Sequence, residues 1–188
     1  MTNSYSDDGV RTRLILAALD ELCDHGIADF SLRRVAIAAQ VSCAAPYRHF
    51  KSKEEMIVET ARYITSRWTL FAEEIIKVHG NTTEKALVEL CTSATAFWIS
   101  NGKFRSLLIP DPDSLIADEM KSFDLPILRC IEGCLSKKGA GENDIKKQTY
   151  CILALIYGAV MLVGSGRQAA DEAVCTVREN ISNILNVF

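Results

Sequence analysis

The sequence predicts an all-α protein, and three observations carry that prediction. Apolar residues recur at spacings of three and four along most of the chain. The four prolines and ten glycines are few and fall between those periodic segments. Capping residues stand where the segments begin. With 188 residues, 48% of them hydrophobic, the chain can bury a substantial core, either as one domain or as a small head on a larger body.

Residues 1–8 are polar and are expected to be disordered. A first helix is expected over about Val10–His25, with Leu14, Ile15, Ala18, Leu19 and Leu22 on one stripe. Gly26 suits a left-handed C-cap, and His25 in the last turn meets the negative end of the helix dipole. Ser31 is a good N-cap, and Phe30 can staple onto Val35. A second helix then runs from Leu32 to about Ala39, with Val35, Ala36 and Ala39 inward and Arg33 and Arg34 outward. Gln40 and Val41 make the turn. If Gln40 is left-handed there, a non-glycine residue costs about 1 kcal/mol. Ser42 is expected to cap a third helix reaching about His49, and Phe50 anchors its end. Pro46 would then fall at the fourth helical position and forfeit the first intrahelical bond, which predicts a tight, 3₁₀-like start.

Ser52 and Glu55 form a capping box that opens a long helix from Lys53 to about Val78. Ile57, Ala61, Ile64, Trp68, Phe71, Ile75 and Val78 make its seam. At 1.5 Å per residue it spans about 39 Å, the geometry of a lever between head and body. A further helix is expected from near Thr83 to Asn101, stopped by Gly102. Asp111 and Pro112 read as N-cap and first residue of a short helix. Phe123, Asp124 and Pro126 open another, which Lys137, Lys138 and Gly139 close, and residues 139–143 are the clearest loop. Tyr150–Gly164 is apolar on every side, and the final helix, about Ala169–Asn186, carries Val174, Val177, Ile181, Ile184 and Phe188 at heptad-like spacing. So much apolar surface on two helices predicts a homodimer. Ala154 and Gly158 allow close approach, and Val174, Val177, Ile181 and Ile184 complete a four-helix bundle with the second copy.

Charge singles out one stretch. From Ser31 to Lys53 the chain carries Arg33, Arg34, Arg48, Lys51 and Lys53 and no acid, although its formal net charge is -3. Short helices with a one-sided positive face suit a phosphate backbone. No apolar N-terminal stretch resembles a signal peptide, and the 15-residue run Tyr150–Gly164 is shorter than the roughly 18 residues of a membrane span. The seven cysteines form no CxxC pair, which favours reduced thiols and a cytoplasmic location with no membrane partner.

The stretch from residue 10 to about 60 reads Thr12-Arg13, Leu14-Ile15-Leu16-Ala17-Ala18, Gly26, Val35-Ala36, Ala39-Gln40-Val41-Ser42 and Tyr47-Arg48-His49-Phe50-Lys51-Ser52-Lys53-Glu54. It resembles the head of the TetR/AcrR family of bacterial transcriptional regulators, with Gln40 and Ala44 where glycine is usual and Pro46 where leucine is common. The resemblance implies an all-α architecture: an N-terminal three-helix, helix-turn-helix DNA-binding head, residues 1–52, on a larger helical ligand-binding and dimerisation body, residues 53–188. It makes Ser42–His49 the recognition helix. Cys43, Ala44, Ala45 and Tyr47 are then the candidates for base edges, with Arg48 on guanine or phosphate. Arg33, Ser42, Tyr47, His49, Lys51 and Lys53 suit the DNA backbone. A dimer would place two such helices in successive major grooves, roughly 34–36 Å apart, on a palindrome.

The resemblance also implies a small-molecule pocket in the body. Trp68, Phe71, Phe97, Trp98, Tyr150, Tyr157 and Met161 are its expected lining, for a largely apolar ligand whose occupancy changes the separation of the heads. The expected function is a homodimeric repressor of double-stranded DNA released by such an effector. Two alternatives keep the fold: a co-activator or adaptor working through protein contacts, and a redox-sensing regulator with Cys43 beside the basic patch. No catalytic constellation, cofactor motif or metal site is read. The three histidines, His25, His49 and His79, are each explicable locally, and Cys130 and Cys134 lie one turn apart without further ligands nearby in sequence.

Overall fold

The computed structural model describes residues 4–186, with side chains from residue 9 onward; Phe188, expected at the end of the last seam, lies outside the described residues. Among the described residues every regular element is a helix or a 3₁₀ turn. Their contacts divide the chain into two compact units.

The first unit comprises the residues up to Ser66 together with Ser106–Ser122. Helix α1 spans Ser4–His25. It begins well ahead of the expected Val10, so the disorder expected for residues 1–8 does not hold for the backbone of 4–8. A lone Gly9 costs a helix only about 1 kcal/mol and does not stop it. Gly26, at φ 70, ends the helix with its N–H on the Leu22 carbonyl at 2.9 Å. Helix α2 spans Leu32–Ala38, and the Ser31 hydroxyl accepts the Arg34 N–H at 3.4 Å. Helix α3 is only Ala45–His49. Ser42 is therefore not its N-cap. The Ser42 carbonyl instead accepts the Ala45 N–H at 2.9 Å, a single tight turn ahead of the helix. Pro46 then sits at the second helical position, where no N–H is needed, so it forfeits nothing.

Helix α4 spans Lys53–His79. The Ser52 hydroxyl accepts the Glu55 N–H at 3.1 Å, and the Glu55 carboxylate reaches back to the Lys51 N–H. The capping box thus closes one residue further back than the simple pattern. Leu14, Ala18, Leu22, Val35, Phe50 and Ile57 are buried and form the core of this unit. The segment after Ser106 is tied to α4 by Glu119, which accepts from Arg62 Nε at 3.2 Å and from the Thr65 hydroxyl at 2.9 Å. The short helix expected to start at Pro112 begins instead at Ala117, as α6, Ala117–Lys121. Asp111 does cap, but it caps a turn, accepting the Asp113 N–H at 2.9 Å.

The second unit is built on α5, Glu84–Ser100, whose N-cap Thr83 accepts the Ala86 N–H at 3.1 Å. Helices α7 (Leu125–Lys137), α8 (Glu142–Gly164) and α9 (Ala170–Leu185) pack against it. Ala173, Val177, Ile181 and Leu185 are fully buried. Val177 and Ile181 therefore do not face a second copy: the α9 seam is taken up by α5 and α8 of its own chain. Helix α8 buries only Ile152, Ile156, Ala159 and Val160. Tyr150, Ala154, Gly158, Met161 and Leu162 are exposed along its other face. The apolar run is one part of a 23-residue helix, which by length and composition alone is sufficient to cross a membrane. The ends of the unit are clamped by Lys138, which bonds the Leu185 carbonyl at 2.6 Å and Glu84 at 2.7 Å.

Candidate nucleic-acid interface and effector core

In the first unit the two short helices are fixed by buried anchors and one acid. Phe30 and Phe50 are buried, and the Arg11 guanidinium lies 5.2 Å from the Phe50 ring centre while pairing with Glu59 at 2.8 Å. Glu21 is almost fully buried. It accepts the Ser31 N–H at 2.9 Å and Arg34 Nε at 2.8 Å, and the same guanidinium also reaches the Asp29 carbonyl. Burial pushes the Glu21 carboxyl up, but the hydrogen bonds from Arg34 and Ser31, with the charges of Arg34 and His25, outweigh it and hold it below the usual value. Arg34 is thus engaged in joining α1 to α2, not held free for a phosphate.

Arg33, Ser42, Cys43, Ala44, Tyr47, Arg48 and Lys51 are exposed, with Tyr47 at 66%. Among the described residues Arg33, Arg48 and Lys51 form no ion pair. Their charges are therefore available to an external anion. Lys53 is half-buried with its ammonium 6.0 Å from the Phe30 ring centre, and His49 is half-buried.

In the second unit five aromatic rings cluster. Trp68 stacks on Phe123 at 4.8 Å and donates its indole N–H to the Phe123 carbonyl at 2.8 Å. Phe97 and Trp98 meet edge to face at 5.7 Å, and Trp98 lies 4.8 Å from Phe123. Phe71 joins Trp68 at 6.2 Å, though more than half exposed. Among the described residues the buried Trp98 indole N–H has no hydrogen-bond partner, which is uncommon for a native donor. Next along the chain from Phe123, the Asp124 carboxylate accepts the Tyr157 hydroxyl. Burial raises the Asp124 pKa despite that bond, and burial followed by the Asp124 charge pushes the Tyr157 phenol up.

Residues 14–60 match the family model described as bacterial regulatory proteins, tetR family. Solved structures are similar over nearly the whole chain. One is a TetR transcription regulator from Haloarcula marismortui, with TM-score 0.72, 18% identity, and coverage of 96% of this chain and 98% of that one. Another is FadR from Bacillus subtilis in complex with stearoyl-CoA, with TM-score 0.73, 13% identity, and coverage of 94% and 98%. The fatty acid degradation regulator FadR from Bacillus halodurans has TM-score 0.68, 16% identity, and the same two shares, 94% and 98%. Comparison with curated proteins finds no match.

The head segment therefore matches the tetR-family model, and the fold over nearly the whole chain is that of these regulators. Within the matched segment, Arg33, Ser42, Cys43, Ala44, Tyr47, Arg48 and Lys51 are brought onto open surface as the sequence suggests. Ala45 is not: it is buried at 3% exposure, because the helix starting there turns its first residues inward, and it presents nothing to a base edge. Of the expected ligand residues, Trp68, Phe71, Phe97 and Trp98 come together, and Tyr157 is joined to Asp124 beside Phe123. Tyr150, 76% exposed, and Met161 stand on the open face of α8, and among the described residues no ring contact joins Tyr150 to the cluster. Sequence reasoning missed Glu21 and Asp124. Glu21 had a signal, since 14, 18 and 21 share one inward stripe and an acid there requires a partner. Asp124 had none, because an acid before a proline reads simply as an N-cap.

Proposed function

We propose that this TetR-family chain is a homodimeric repressor, released from a palindromic operator by a small, largely apolar ligand, and that it works in the cytoplasm. Residues 1–52 are the DNA-binding part, and residues 53–188 hold the effector and the dimer contact. One observation carries the reading: Arg33, Arg48 and Lys51 are exposed and, among the described residues, form no ion pair, with Tyr47 also exposed, inside the segment that matches the family model. A net-negative chain that keeps these cations exposed within one short segment is furnished for a phosphate backbone. Arg48 is the side chain able to reach a guanine edge. Cys43 and Ala44 offer only small contacts, so base selectivity rests on few groups.

The aromatic cluster supports an apolar effector, and the unpartnered Trp98 N–H would take an oxygen acceptor on it. The structurally similar FadR from Bacillus subtilis was solved with stearoyl-CoA, which has a long apolar chain and carbonyl oxygens. The open α8 face with Ala154 and Gly158 supports pairing with a second copy, and half-buried Val174 and Ile184 flank it on α9. Helix α4 contributes residues up to Ser66 to one unit and from Arg67 to the other, so it is one covalent route for coupling effector to DNA, the others being the crossings at either end of Ser106–Ser122.

The test is genomic binding-site selection with the purified protein. The expected result is a palindrome whose affinity falls with added salt and falls at least about tenfold with Arg48→Ala. Recovery of random sequence, insensitive to salt and to that substitution, would overturn the DNA reading.

A further inference from the structure

The first unit contains an open cleft of about 530 Å³ that neither the DNA face nor the aromatic core uses. That size accommodates a small organic molecule. One wall is the end of α1 and its turn, with Leu22 and Ile27; the other is the segment after Ser106, with Leu107, Ile109 and Ile116. Its polar side chains come from one side only: Ser106, Asp111, Asp113 and Ser114. Asp111 Oδ1 accepts the Asp113 N–H at 2.9 Å, which fixes the turn that carries both acids. Among the described residues neither carboxylate has a cationic partner. The Ser114 hydroxyl is buried in the same wall with no hydrogen-bond partner.

We propose that this cleft binds a small amphipathic amine in its ammonium form. The ammonium pairs with Asp111 and Asp113, and the apolar chain lies against Leu22, Ile27, Leu107 and Ile116. The Ser114 hydroxyl accepts from an ammonium N–H. A carboxylate or phosphate in the same place would face two like charges, and a neutral alcohol would leave both acids uncompensated. The cleft borders the turn after α1, just before the Glu21–Ser31–Arg34 junction, so an occupant touches the joint that sets α1 against α2. The proposal does not rest on the DNA reading, because it is tested on the free protein.

The experiment is calorimetric titration of the full chain with hexylammonium, hexanoate and 1-hexanol at low salt. Hexylammonium is expected to bind at least about tenfold tighter than either of the others, a difference of about 1.4 kcal/mol. Asp111→Asn with Asp113→Asn keeps the turn acceptor and is expected to remove that preference. Ile109→Arg, at an exposed position the fold tolerates, sets a fixed cation beside the carboxylates and is expected to abolish binding. The proposal fails if hexanoate or hexanol binds as well as the amine, or if no binding appears up to about 10 mM, an affinity of only a few kcal/mol. It also fails if the variants, helical by circular dichroism, bind like the parent. Should the double asparagine variant not fold, Ile109→Arg decides alone.

Discussion

Gln40 holds φ 56 in the turn between α2 and α3, a left-handed position that a side chain with a Cβ adopts at a cost. Gln40→Gly is expected to raise stability by about 0.5–1 kcal/mol, the relief of strain less the extra chain entropy of glycine, read as a higher urea midpoint with an unchanged slope. Glu21, which is buried, and Asp124, which is half-buried, have opposite pH behaviour. The Glu21 carboxyl sits below its ordinary 4.5, so its contribution is full above that pH and is lost as pH falls through the lower folded value. Glu21→Gln should therefore melt earlier than the parent at pH 7, with the gap closing in melts near pH 3. Asp124 is raised above its ordinary 3.8, so its ionisation weakens the fold as pH rises through the raised value. Asp124→Asn keeps an acceptor for Tyr157 and is expected to melt no earlier than the parent at pH 7. An Asn variant that melts much earlier at neutral pH would contradict this account.

At the scale of elements, the fold is fixed by caps and a few close contacts. Thr83→Ala removes the α5 cap and is expected to cost about 1 kcal/mol. Trp68→Phe loses the bond to the Phe123 carbonyl and leaves a void in a fully buried site, for about 2–4 kcal/mol in chemical denaturation. Gly133 in α7 is a contact rather than a flexible point: a Cβ there would lie 2.7 Å from Thr82 Cγ2. The caps of α2, α4 and α5 were legible in the sequence because a cap needs only residues three apart. The start of α3 was not. Whether Ser42 caps a helix or closes a turn depends on where Ala45 and Pro46 are buried, and that is a matter of packing. The same holds for Asp111, whose local turn is as good a use of its carboxylate as a helix.

At the scale of the molecule, the open face of α8 is the largest unsatisfied demand. Ala154→Arg with Gly158→Arg places two charges on exposed positions of that face and should leave the protomer folded. It is expected to convert a dimer to a monomer by size-exclusion light scattering and to weaken operator binding by more than about tenfold, since each copy would then hold a half-site alone. An unchanged dimer would move the interface elsewhere. By itself the sequence determined the helical class, the head with its caps, the cationic stretch and the resemblance of that head to a known family, because these depend on local spacing and residue type. Only the tertiary structure decided which charges stay available, spending Arg34 on a buried Glu21 while leaving Arg33, Arg48 and Lys51 outside. It also decided that the α9 seam belongs to its own chain while one face of α8 stays open. A periodic apolar stripe says that a face must be covered, but what covers it depends on the elements that pack there, far away in sequence.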